Sequence, residues 1–172
     1  KNIIFKIKKM KNYILFNKFV EIKPFEKKKI SKRFLSFIND KNINKFLSTR
    51  LKKQTKKTAL QYFLTMIKEN NIYNAIFDRT KKKLIGTITL RKMKNNSCYI
   101  SFMFGDKRYF GTKFTRMSIS IFMSHIFRIM KFKFIFAGCD KNNLQSAFFL
   151  RKHGFEIIEK SRVINKGLKI IG

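Results

Sequence analysis

The chain has 172 residues, 44% of them hydrophobic, enough for one α/β domain with a sizeable core and too few for two ordinary domains. Forty-one Lys and Arg against nine Asp and Glu leave a net charge of +32, a field that attracts polyanions, yet the lysines run from Lys1 to Lys169 without gathering into one stripe. Two cysteines, Cys98 and Cys139, and two histidines exclude a disulfide framework and a structural zinc site, and they fit a reducing cytoplasm.

Residues 1–17 read as a basic lead without a small-residue cleavage site, with Met10 a candidate start of translation, and residues 18–172 as the domain. Residues 19–23 alternate apolar and polar side chains and stop at Pro24, the pattern of a short strand. Residues 31–38 place Phe34, Leu35 and Ile38 at helical spacing, closed by Asn39 and Asp40, and a second short helix is expected over 42–47. Residues 57–68 form a clearer amphipathic helix, with Leu60, Phe63, Leu64 and Ile67 on one face and Asn70 and Asn71 as its stop. Strands are expected over 72–77, 84–90 and 98–104, separated by turns at 81–83 and 94–96, an antiparallel meander. After Gly105 a long helix carries Phe114, Met117, Ile121, Phe122, Ile126 and Ile129 at spacings of three and four. Its uncharged apolar stretch, 117–127, is about half of the roughly 20 residues that a bilayer span needs, so no integral membrane segment is expected. A short buried strand at 134–137, a helix over 143–153 and strands at 155–158 and 168–171 complete the order. The expected architecture is an α/β (α+β) domain, a mixed sheet of about six to seven strands flanked by helices.

Residues 105–115, GDKRYFGTKFT, join a strand to a helix through a glycine-containing turn. Such a junction offers unpaired backbone N–H groups and the positive end of a helix dipole, a site suited to phosphate. Arg108, Tyr109, Phe110, Gly111, Thr112 and Lys113 resemble the acetyl-CoA pyrophosphate loop of the GNAT superfamily of N-acetyltransferases. The resemblance continues in Asn143 and Ser146, which open a helix closed by Gly154 and Phe155. Ile85, Gly86, Thr87 and Ile88 look like that family's third strand, and residues 37–40 like a helix end of its ribosomal-protein and sugar-nucleotide branches. Taken together these motifs cover about residues 19–160.

The resemblance implies a splayed sheet with acetyl-CoA, as co-substrate and without a metal, between the strands ending at Phe104 and Ala137. Backbone around Met103 and Phe104 would then hold the pantetheine arm. The loop from Arg108 to Lys113, with Phe114 and Thr115 opening the helix, would hold the pyrophosphate. Asn143 and Ser146 would meet the coenzyme from the other side, although Asn143 equally suits a helix N-cap. The implied chemistry is attack of a neutral amine on the thioester, with backbone N–H groups stabilising the oxyanion.

Three positions depart from the family pattern. Lys113 stands where Gly or Ala is usual, Leu150 where many members carry a tyrosine acid, and Tyr99 where many carry a glutamate base. Asp40 and Asp140 are carboxylates whose expected loops reach the cleft, each with a structural reading beside the catalytic one. His125 reads as a packing residue and Cys139 as a small buried side chain. The open acceptors are an amino sugar on a nucleotide carrier, a ribosomal-protein N-terminus and a small polar amine, with the first favoured by resemblance. A non-catalytic nucleic-acid or ribosome-binding module is the rival from another class, disfavoured because most Phe residues fall on helix faces or in strand runs, as core does. A fold that binds the coenzyme without turnover is a third reading.

Overall fold

The structure is a computed structural model and describes residues 13–158. The described chain forms one six-stranded sheet in sequential order, β1 (Leu15–Phe16), β2 (Val20–Pro24), β3 (Ile72–Asp78), β4 (Lys83–Lys92), β5 (Ser97–Phe104) and β6 (Phe134–Phe136). All neighbours pair antiparallel except β5 and β6, which run parallel because a helix crosses between them. The helices are α1 (Lys32–Asn39), α2 (Lys41–Asn44), α3 (Lys56–Lys68), α4 (Lys113–Arg128) and α5 (Leu144–Lys152). Among the described residues no helix is long and apolar enough to cross a membrane.

Helices cover both faces of the sheet. Ile76, Ile88, Ile100 and Phe104 pack with Ile119, Phe122 and Ile126 of α4, with Phe149 of α5 at the margin. On the other face Tyr73, Ala75, Phe77 and Leu84 pack with Phe34 and Phe37 of α1 and with Ala59 and Met66 of α3. Burial on both faces explains why β3 and β4 are buried almost end to end rather than in alternation. The helix starts are capped by short polar side chains: Ser31 accepts from the Phe34 amide, and Thr55 and Thr58 form a reciprocal box at α3.

Several sequence expectations are corrected. The two-residue β1 was not expected, and it pairs with β2 while Tyr13 lies buried, so the end of the supposed lead belongs to the sheet. The buried face of α3 runs through Ala59 and Met66, leaving Leu64 and Ile67 about half exposed. On α4 the buried stripe is Thr115, Ser118, Ile119, Phe122, His125 and Ile126, while Met117 and Ile129 face outward. The strand β6 is not buried, since Phe134 is exposed. Residues 155–158 are irregular rather than a strand. The strand expected at 168–171 lies outside the described residues.

Candidate active site

Strands β5 and β6 pair at only three positions, Ser97 with Phe134, Cys98 with Ile135 and Tyr99 with Phe136. Past Tyr99, β5 continues to Phe104, whereas β6 ends and the chain turns away into a loop. Among the described residues no strand lies beside residues 100–104 on that edge, so backbone polar groups there are left for a ligand or water. A groove of about 880 Å³ fills the gap. It passes between the two faces of the sheet: Phe102, Phe104, Phe149 and Leu150 line it on the α4 and α5 side, and Tyr99, Ser101 and Met103 on the other. The segment that follows α2 closes the second side with Lys45, Phe46, Leu47, Arg50 and Leu51.

At one end of the groove lies the Gly111 turn. Gly111 has φ +68, and a Cβ there would meet nothing within 4 Å, so the turn is open and backbone conformation alone calls for glycine. Thr112 occupies the N-cap of α4 without capping it, because its hydroxyl donates to the Tyr109 carbonyl at 2.8 Å. The amides of Lys113, Phe114 and Thr115 therefore have no partner among the described residues. This is the positive end of a 16-residue helix at the mouth of a groove, a fit for an anionic diphosphate. The exposed Arg116, one turn into α4, lines the same region and adds charge; the sequence reading passed over it.

The expected coenzyme residues separate into two groups. Met103, Phe104, Phe110, Gly111, Thr115, Asn143 and Ser146 line the groove. The side chains of the others are engaged elsewhere. Arg108 grips Asp106 with two bonds, at 3.0 and 2.7 Å. That grip is the main reason the Asp106 carboxyl lies below its ordinary range, against the opposing effect of burial. Tyr109 is a core residue whose hydroxyl donates to Asp78 at 2.8 Å. Lys113 folds back over the Phe19 ring at 4.2 Å, clear of the turn, and Phe114 packs edge-on against Tyr109. Asn143 is the N-cap of α5, its Oδ1 accepting from the Ser146 amide at 3.1 Å, which leaves its Nδ2 free of that role.

Of the expected proton-handling residues, Tyr99 and Asp140 line the groove and Asp40 does not: it caps α2, accepting from the Asn42 amide at 2.8 Å. Burial, with a smaller effect from Cys139, pushes the Tyr99 phenol up, so at neutral pH it is a hydrogen-bond donor rather than a base. Asp140 accepts from the Asn142 amide at 2.9 Å. Cys139 is half-buried and lines the groove rather than sitting in the core, and burial followed by Asp140 pushes its thiol up. Leu150, at the position of the usual tyrosine, is buried and brings no proton. His153, read from the sequence only as the end of a helix, also lines the groove. His125 is a packing residue as expected, stacked on Tyr13 at 4.8 Å. Among the described residues no three His, Cys, Asp or Glu side chains cluster.

Comparison with known proteins agrees with this geometry. Residues 20–156 match the family model described as an acetyltransferase (GNAT) domain. The fold is similar to a GNAT-family acetyltransferase of Bacillus anthracis, with a TM-score of 0.74, 18% identity and coverage of 88% of this chain and 89% of that one. It is similar to the spermidine N-acetyltransferase of Vibrio cholerae, solved with CoA and spermine (TM-score 0.71, 16% identity, 87% and 89% covered). It is also similar to the ribosomal-protein-S5-alanine acetyltransferase of Vibrio fischeri (TM-score 0.65, 16% identity, 86% and 85% covered). No curated protein matches the sequence. With a splayed β5–β6 pair, an uncapped helix behind a left-handed glycine and a family match over most of its length, the chain belongs to the GNAT acetyltransferases and is an N-acetyltransferase.

Proposed function

We propose that the chain moves an acetyl group from acetyl-CoA to a primary amine carried on an anionic body, of which an amino sugar on a nucleotide is the best fit. The observation that carries the reading is the parting of β5 and β6 beside an uncapped α4 N-terminus. The amides opening α4, with Gly111 and Arg116, hold the diphosphate; the free edge at Met103 and Phe104 aligns the pantetheine arm. Asn143 Nδ2 and Ser146 meet it from α5. Acetyl-CoA, when bound, supplies the thioester that the amine attacks. Backbone N–H groups where the strands part offer oxyanion stabilisation, and Tyr99 with Asp140 orients the amine.

The acceptor side decides the substrate class. Residues 41–57 carry Lys41, Lys45, Arg50, Lys52, Lys53, Lys56 and Lys57 with no acid, and Lys45 and Arg50 line the groove. That wall attracts phosphate and repels a polyamine, so the acceptor differs in charge from spermidine, the substrate after which the Vibrio cholerae neighbour is named. Surrounding cations also lower the pKa of an acceptor ammonium and favour its reactive neutral form. A peptide N-terminus is the second reading, favoured by Phe46, Leu47 and Leu51 on the same wall.

The test is acetyl-CoA turnover against a panel: a nucleotide-linked amino sugar, the same sugar without the nucleotide, ribosomal-protein N-terminal peptides and spermidine. The nucleotide-linked sugar is expected to give the highest kcat/KM and spermidine the lowest. Preference for spermidine would refute the acceptor reading, and absence of any CoA binding would refute the site.

A further inference from the structure

We propose that His153 is the group that returns a proton to the departing sulfur, in place of the tyrosine that this chain lacks. The inference rests on the coenzyme reading above and names a residue that reading does not use.

His153 follows the last turn of α5, three residues beyond Leu150, and so lies about one helical turn further along the same face. Both side chains line the groove. Two contacts fix the imidazole. Its ring packs on Phe149 at 4.2 Å, tilted by 34°, and Phe149 in turn packs on Phe102 of β5 at 5.5 Å. Its Nδ1 lies 2.8 Å from the Phe149 carbonyl oxygen. A carbonyl can only accept, so Nδ1 carries the hydrogen and Nε2 is the ring atom left to exchange a proton. Protonation of Nε2 leaves the Nδ1 bond in place, so the ring changes charge without moving. The other titratable and charged groups in the groove are Tyr99 on β5, Cys139 and Asp140 after β6, Arg116 on α4, Lys152 on α5, and Lys45 and Arg50 on the acceptor side. Burial raises both the phenol and the thiol.

The proton balance closes. As the amine nitrogen bonds to the acetyl carbon and the carbon–sulfur bond breaks, the sulfur takes the Nε2 proton. The nitrogen releases one proton on becoming an amide, and one proton from solvent restores the imidazolium. The net change is one proton moved from nitrogen to sulfur.

Histidine occurs at only two positions, 125 and 153, so NMR of the imidazole carbons resolves each, with buried His125 as the internal control. In the wild type, CoA is expected to shift the His153 ring signals further than desulfo-CoA does, because both ligands bring the same phosphates and only CoA brings a thiol to Nε2. His153→Gln is expected to lower kcat about a hundredfold while CoA affinity stays within twofold. A fall of kcat with rising pH in the wild type that is absent from His153→Gln is the expected signature of an acid at this position. Equal effects of CoA and desulfo-CoA on His153, or an unchanged pH profile in His153→Gln, would overturn the assignment. Failure of both ligands to bind the wild type would instead overturn the coenzyme site itself.

Discussion

Gly111 and Lys113 illustrate how neighbouring residues in one motif divide between function and support. Gly111→Ala forces a Cβ into the left-handed region, at about 1–2 kcal/mol, although no atom stands in its way. Because the turn is set by that backbone, CoA affinity is expected to fall along with stability. Lys113→Ala removes the contacts of its ammonium with the Phe19 and Phe114 rings, about 0.5–1 kcal/mol, and is expected to leave CoA binding within twofold. Arg116→Ala should behave in the opposite way, weakening CoA severalfold and flattening the salt dependence of binding with little change in denaturant midpoint. Isothermal titration calorimetry and urea denaturation on the three variants separate these outcomes. Asp78 belongs to the support class. Burial opposes its charge, but bonds from the Thr80 and Tyr109 hydroxyls and the Lys81 and Thr80 amides outweigh burial and hold its carboxyl below the usual range. A depressed folded pKa stabilises the fold above the unfolded value, near pH 4, and that contribution is lost as pH falls through the folded one. Tyr109→Phe is therefore expected to cost about 1–3 kcal/mol at pH 7 and progressively less below pH 4, read from urea midpoints.

Helix α5 tests whether an element end serves packing or coenzyme. Asn143 caps the helix with Oδ1, a role that aspartate can fill, while its Nδ2 donor cannot be replaced by a carboxylate. Asn143→Ala is expected to cost about 1 kcal/mol and Asn143→Asp close to nothing. If Nδ2 meets the coenzyme, both variants lose CoA affinity, and the aspartate loses it without losing stability. Elements with strong local signals were legible in the sequence: the meander of β3, β4 and β5, the body of α3 over 57–68, and the order of strand, Gly111 turn and α4. Side-chain direction was not. The loop motif named Arg108 and Tyr109 as coenzyme contacts, yet a carboxylate two residues before Arg108 and another 31 residues before Tyr109 take those side chains away. Nor could spacing alone pick the α3 face, because Leu64 and Ile67 follow the same period as Leu60 and Phe63 and only the sheet decides between them. The two-residue β1 carries too little pattern to be read at all.

At the scale of the whole molecule, the charge of +32 becomes a statement about substrate rather than about fold. Three of the nine carboxylates are paired with nearby cations, Glu21 with Lys23, Glu26 with Lys28, and Asp106 with Arg108 and Lys83, and Asp140 is the one carboxylate among the described residues lining the groove. On the proposed acceptor reading the cationic segment 41–57 attracts the acceptor's phosphate, so KM for a phosphate-bearing acceptor should rise with ionic strength while KM for its phosphate-free counterpart stays flat. These expectations depend on one feature, the gap between β5 and β6 serving as the coenzyme cradle. Amide hydrogen exchange with and without CoA reads it directly. Protection is expected to appear at residues 100–104 and 111–116, with a smaller gain at 143–146, and to leave the paired strands β2 and β3 unchanged. Protection confined to other segments, or none at saturating CoA, would contradict the account.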